Sequence, residues 1–200
     1  MWYEYPIPAD YETQKRIIRE LREWIQGLET RGIVEGFAFN HYSTPQALNL
    51  RFDCREEQLG TVRRELEQEI RHFVHNYKPE TNERLWDGGA NSEYVYKAYE
   101  FGTRCVFMFW ELIENGRFSE EFTSNFLRQL EANRVGIENI NAFNFHFCMG
   151  HGIMNSLGIS KIPNEQMIHL YSLIESTHST DSEQLCEWIR NNYYVFSENE

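Results

Sequence analysis

The stretch IVEGFAFNHYSTPQALNLRF, residues 33–52, decides the fold. Ile33–Tyr42 is rich in apolar and aromatic residues and is expected to form a strand, Ser43-Thr44-Pro45 to form a turn, and Ala47–Phe52 to form the next strand. The second half alternates. Leu48, Leu50 and Phe52 share one face of a strand, while Ala47, Asn49 and Arg51 share the other. A polar set on one face and an apolar set on the other mark a half-covered sheet rather than a helix.

Upstream, Trp2–Ile7 is short, aromatic and bounded by prolines, as a first strand would be. Asp10 can cap a helix carrying Ile17, Ile18, Leu21, Trp24, Ile25 and Leu28, whose spacings of one, three and four place them on one face. Arg31-Gly32 ends it. Downstream, Leu59, Val62, Leu66, Ile70, Phe73, Val74 and Tyr77 form a second helical stripe, and Lys78–Trp86 supplies a fourth strand. The order strand–helix–strand–strand–helix–strand is that of a ferredoxin-like split unit, so the fold class expected is α+β. From Asn91 the pattern turns helical, with candidates over 93–113, 119–133, 140–157, 164–175 and 181–191. The sheet's apolar face needs cover, and these helices can provide it. The chain is therefore expected to be a single domain over 1–200, with a ferredoxin-like part over 1–90 and a helical part over 91–200.

Composition excludes several classes. Apolar residues at 41% and charged residues at 25% describe a folded chain, not a disordered one. A net charge of −12 argues against nucleic-acid or anionic-membrane surfaces, which need concentrated positive charge. No apolar run is long enough to cross a bilayer. The N-terminus, MWYEYPIPADYE, does not have the basic-then-apolar pattern of a secretory signal. The four cysteines (Cys54, Cys105, Cys148, Cys186) have no close pairing, so reduced thiols in a cytoplasm are expected. Exposed strand edges and abundant aromatic rings are compatible with a homodimer.

Few motifs carry chemistry on their own. His146, Cys148 and His151 lie within six residues, yet spacings of two and three do not place them on one helical face, and no second cluster completes a metal site. Gly88-Gly89 has no following Lys-Ser/Thr, so it is not a phosphate-cradling loop, and there is no Gly-x-Ser-x-Gly elbow. Neither a cofactor nor a metal is implied. Three residues stand out: Arg51 in LNLRF, Arg84 in ETNERLWDGG, and His151 between two glycines with Asn155 four residues on. Taken alone, each arginine reads equally well as a surface cation.

The order of segments resembles the thiopeptide-type bacteriocin biosynthesis family, which includes the glutamate-elimination domain of lanthipeptide dehydratases. The resemblance rests on WYEY with its amphipathic helix, FAFNHYSTPQALNLRF for an aromatic strand leading into Leu-Arg-Leu-Arg-Phe, ERLWDGG for Arg-Tyr-Gly-Gly, weakly KAYEFGTRC, and HGIMNSLG for His-x-x-x-Asn-Arg. It runs from Trp2 to about Ile159. Asn49 stands at the first arginine of the strand motif, Leu85-Trp86-Asp87 displaces the tyrosine, and Ser156 replaces the arginine after the asparagine.

The resemblance implies a stand-alone elimination-type lyase in ribosomal peptide modification. A base takes the α-proton of a glutamylated Ser or Thr, and glutamate leaves. Arg51, Arg84 and His151 would be catalytic, and Asn49, Asn155 and Tyr42 would bind substrate. Related members use the scaffold for pyridine-ring formation. The partner implied is a peptide, with or without its leader, or another modification enzyme. Two further readings stand beside this one. The chain could be a non-catalytic peptide-binding or assembly protein with the same fold, or an enzyme of unrelated chemistry on the same sheet.

Overall fold

The computed structural model describes residues 1–43, 46–87 and 92–115. The chain divides into two compact units, Met1–Ser92 and Glu93–Glu200. The helices expected over 119–133, 140–157, 164–175 and 181–191 lie outside the described residues.

The first unit is α+β. Its elements are β1 (Trp2–Pro8), α1 (Tyr11–Thr30), β2 (Gly36–Ser43), β3 (Gln46–Asp53), α2 (Leu59–Ile70), the short helical turn α3 (Pro79–Asn82) and β4 (Arg84–Leu85). The four strands form one sheet in the order β2-β3-β1-β4, with every neighbouring pair antiparallel. Register follows the alternation in the sequence. Leu48, Leu50 and Phe52 of β3 stand opposite Ile7, Tyr5 and Tyr3 of β1 and His41, Phe39 and Phe37 of β2. Directly opposed residues share a face, so these nine side chains form one layer.

Helices α1 and α2 cover that layer. Ile17, Ile18, Leu21, Ile25 and Leu28 of α1 are buried, as are Leu59, Val62, Leu66 and Ile70 of α2. Trp24 is half-buried and meets Phe52 edge-on, with ring centroids 5.8 Å apart at 80°. The capping expectation holds, since Asp10 Oδ1 accepts from Thr13 N at 2.7 Å. Gly32, with φ +67°, turns the chain out of α1 in the left-handed region that costs a residue with a Cβ about 1–2 kcal/mol. Glu65 ties the two helices by accepting from Trp24 Nε1 at 3.1 Å and from Arg31 Nη2 at 2.7 Å.

Two boundaries differ from the sequence expectation. α2 stops at Ile70, before Phe73, Val74 and Tyr77 of the apolar stripe. The run His72–Tyr77 is aromatic, β-branched or otherwise poor in helix formers, and Pro79 biases Lys78 away from the helical region. Tyr77 is still buried, but it is delivered by turns. The fourth strand, expected over 78–86, contracts to two residues because Pro79 opens a helical turn in its first half.

In the second unit, α4 (Ser92–Asn115) matches the helix expected over 93–113. Ala98, Phe101, Cys105 and the neighbouring Val106 are buried, and their spacing of three and four defines one stripe. Among the described residues no helix is long and apolar enough to cross a membrane.

Candidate functional site

The face of the sheet opposite the helices carries the polar residues. Its rows follow from register. Ala38 of β2, Arg51 of β3, Glu4 of β1 and Arg84 of β4 stand side by side across all four strands. The next row holds Asn40, Asn49 and Pro6, and the one after it Tyr42, Ala47 and Pro8. A strand rise of about 3.4 Å per residue sets successive same-face rows roughly 7 Å apart.

Glu4 is the centre of the first row. Its Oε2 accepts from Arg51 Nε and contacts Arg51 Nη2, both at 2.6 Å. Its Oε1 accepts from Arg84 Nε at 2.6 Å and pairs with Arg84 Nη2. One carboxylate therefore receives two forked guanidiniums, one on each oxygen, in the charge-assisted geometry that arginine favours. Burial is unequal. Glu4 and Arg51 are 3% and 2% exposed, whereas the Arg84 side chain is 61% exposed. The Arg51 guanidinium lies over the Trp86 ring, 3.9 Å from its centroid, and Trp86 meets Trp2 edge-on at 5.6 Å. Stacking on an aromatic face lets a buried guanidinium keep favourable electrostatics where water is excluded.

Two guanidiniums meet one carboxylate in this row, on a chain whose net charge is −12. Arg84 presents its side chain outward, 61% exposed, while Arg51 is oriented from within by Glu4 and Trp86. The strands place no histidine, cysteine or lysine on this face, so among the described residues it holds no group suited to shuttle a proton near neutral pH.

The opposite face holds a second polar cluster at the same edge. Glu83 accepts from Arg63 Nε at 2.9 Å and from Arg63 Nη2 at 2.5 Å, and also takes the Tyr5 hydroxyl proton donor. Burial pushes the Glu83 carboxyl up, but the bonds from Arg63 and Tyr5 outweigh it and leave the group below its usual range. Burial, and then the Glu83 bond, pushes the Tyr5 phenol well up. Successive residues Glu83 and Arg84 thus anchor β4 from both faces of the sheet.

Elsewhere, His41 Nδ1 meets Gln14 Oε1 at 2.7 Å, while its Nε2 is buried without a partner among the described residues. Burial, with the nearby Lys15 charge second, drops its pKa to about 3. Burial also lifts the Cys54 thiol to about 11, so it is a packed thiol, not a nucleophile. Among the described residues no group of three or more His, Cys, Asp or Glu is placed to hold a metal ion.

Of the residues singled out from sequence, Arg51 and Arg84 meet on Glu4, Asn49 is in the adjacent row, and Tyr42 occupies the row beyond it. His151 and Asn155 lie outside the described residues, as do His146 and Cys148. Glu4, Trp86 and Asn40 were not anticipated. Glu4 did have a signal. It is the lone acid inside WYEYPIP, and period two sets it opposite to Tyr3 and Tyr5. Searches of family models, curated proteins and solved structures give no match to this chain.

Proposed function

We propose that this chain acts in ribosomal peptide modification and is related to the glutamate-elimination domain of lanthipeptide dehydratases. Its step is elimination of glutamate from a glutamylated Ser or Thr, or a related lyase-type step. The observation that carries the reading is the shared face. Arg51, Arg84 and Asn49, which the resemblance assigns, stand in adjacent rows of one sheet face with Tyr42 beyond them, and Arg84 presents an exposed guanidinium from that row. In this reading Arg84 meets the acidic group of the substrate, and Arg51 supplies a fixed cation for charge that develops as the α-proton leaves. His151 moves the proton, the Cβ–O bond breaks with its electron pair going to glutamate, and a dehydroamino acid remains. Asn155 is assigned to substrate binding.

The same proposal takes Met1–Ser92 as a ferredoxin-like unit. The order β2-β3-β1-β4, read from the β4 edge, together with helices after β1 and β3, supports it. A cytoplasmic location, a peptide substrate or a partner modification enzyme, and a homodimer belong to the proposal as well. It calls for no cofactor.

A second reading is favoured by one observation. Glu4 already pairs with both arginines, so each has a carboxylate partner without a ligand. This suits a non-catalytic protein that binds an acidic peptide at Arg84. Incubating the protein with a glutamylated Ser/Thr peptide and following glutamate loss by mass spectrometry separates the two. Turnover that falls about 100-fold in Arg84→Ala and vanishes in His151→Ala, with the His151 variant still binding peptide, supports the enzyme. Binding without turnover in the wild type supports the second reading, and neither binding nor turnover removes both.

A further inference from the structure

The sequence of β1 keeps β4 short. Cys54 N donates to Met1 O on the β3 side, and Trp86 N donates to Trp2 O on the β4 side. Main-chain groups alternate along an antiparallel strand, so those of Trp2, Glu4, Pro6 and Pro8 face β4. Carried past Arg84, the register would set Asn82 opposite Pro6, and proline has no N–H to give. The ladder therefore stops at two positions, Tyr3↔Leu85 and Glu4↔Arg84, and both β4 residues are exposed.

So short an edge strand depends on its side chains. Arg84 grips Glu4 from the surface, where water competes for the guanidinium. The enclosed polar grip is Glu83, which accepts two hydrogen bonds from Arg63 and one from the Tyr5 hydroxyl. Glu83 N also donates to Pro79 O at 2.8 Å, which fixes the end of the strand next to α3. Beyond Leu85, Trp86 meets Trp2 edge-on and lies over the Arg51 guanidinium, 3.9 Å from its centroid. Trp86 is half-buried and Arg51 almost wholly buried, so the ring is part of the cover over that cation.

We propose that Arg84–Trp86 is a strap, clasped at Glu83, that opens as a unit while the β2-β3-β1 sheet stays folded, and that its opening uncovers the Arg51 guanidinium. Segments that open below the global unfolding free energy have few main-chain bonds and exposed side chains, as this one does. Opening breaks the two ladder positions and the Trp86–Trp2 bond and lifts the ring from Arg51. Glu4 stays paired with Arg51 through Oε2. The strap thus decides when Arg51 meets solvent or a ligand, and nothing in this device depends on a peptide substrate.

The test labels the full chain with phenylglyoxal at low conversion, reads each arginine by peptide mass mapping, and follows amide exchange at Trp86 and Leu50 under the same conditions. Arg55, exposed in the fold, is the internal standard. Across a urea series below the unfolding transition, Arg51 labelling and Trp86 exchange are expected to share one shallow dependence on urea. Leu50, in the central strand β3, should exchange at least tenfold more slowly and with the steep dependence of global unfolding. Arg51 labelling that follows the steep dependence of Leu50 overturns the proposal. Glu83→Gln keeps an acceptor for Tyr5 but drops the charge that holds Arg63. It should speed Arg51 labelling and Trp86 exchange by one common factor of at least ten, and unequal factors, or none, overturn the clasp. If Glu83→Gln does not fold, the wild-type urea series decides. Trp86→Ala should label at Arg51 at least tenfold faster without urea, and labelling as slow as in wild type overturns the ring as cover.

Discussion

Replacing Glu4 by alanine is the perturbation whose cost this structure defines most sharply. The Glu4 side chain is 4% exposed and its partner Arg51 is 3% exposed, so deleting the carboxylate takes an ion-pair partner from a guanidinium in a place water hardly reaches. Breaking a buried pair by removing one partner costs about 3–5 kcal/mol, most of it the desolvation of the charge left behind. The Trp86 ring offsets part of this, since a cation–π contact on a desolvated guanidinium contributes about 2 kcal/mol, but that contact is already present in the wild type and does not grow. Arg84 makes the opposite case. Its side chain is 61% exposed and can return to water when Glu4 is lost, so the Glu4–Arg84 pair is worth no more than about 1 kcal/mol.

Two double-mutant cycles therefore separate the two halves of the row. Urea unfolding of Glu4→Ala, Arg51→Met, Arg84→Ala and the two doubles gives the coupling energies. The Glu4–Arg51 coupling should be several-fold larger than the Glu4–Arg84 coupling. Arg51→Met combined with Glu4→Leu should be less destabilised than Glu4→Ala alone, because an apolar pair leaves no uncompensated charge. The reasoning is refuted if Glu4→Ala lies within about 1 kcal/mol of wild type, since an Arg51 that tolerates the loss is solvated after all.

Other consequences follow from the helix-covered face. His41, whose pKa falls to about 3, stays neutral in the fold while the unfolded chain takes up a proton near pH 6.5. Between these values the unfolded state binds more protons, so stability drops as pH falls, by at most about 2.7 kcal/mol from pH 6.5 to 4.5. His41→Gln should lose that slope, read as urea midpoints of the two proteins converging on acidification. Phe52 is buried against Tyr5 and Trp24, with centroids 6.0 and 5.8 Å away, and Phe52→Ala should cost about 3–5 kcal/mol in the same measurement. A loss below about 1 kcal/mol would mean the layer re-closes around the cavity.

What could be read in the sequence is what local periodicity encodes. Five of the six apolar positions assigned to α1 are fully buried and the sixth, Trp24, packs on Phe52, because spacings of one, three and four fix a helical face whatever it meets. The two faces of β3 separate as alternation requires, with Asn49 and Arg51 away from Leu48, Leu50 and Phe52. What could not be read is the pairing partner. Arg51 and Glu4 are 47 residues apart, and Arg84 and Glu4 are 80 apart. Each arginine therefore read equally well as a solvated cation until register brought both to one carboxylate. Gln14 and Lys15, buried on α1 beside His41, escaped for the same reason, as nothing local marks a polar residue that tertiary contact will enclose.

Arg84 reaches Glu4 only because β4 is in place, and β4 has little backbone with which to hold itself there. It pairs with β1 at two positions, Tyr3↔Leu85 and Glu4↔Arg84, and Leu85 is exposed. Two ladder positions are too few to fix an edge strand, since a net backbone hydrogen bond contributes only about 1 kcal/mol. The side chains supply the rest. On the helix-covered face, Glu83 is gripped by Arg63 of α2 and by Tyr5 of β1, and on the polar face Arg84 is gripped by Glu4. Trp86 extends the grip one residue further through its bond to Trp2 O and its ring over Arg51. Consecutive residues at the start of β4, Glu83 just before it and Arg84 within it, are thus fastened to opposite faces, and consecutive residues of β1, Tyr5 and Glu4, receive them. The position of Arg84 is consequently set by α2 through Arg63 as much as by the sheet, so a row that stands on the polar face depends on packing beneath the other.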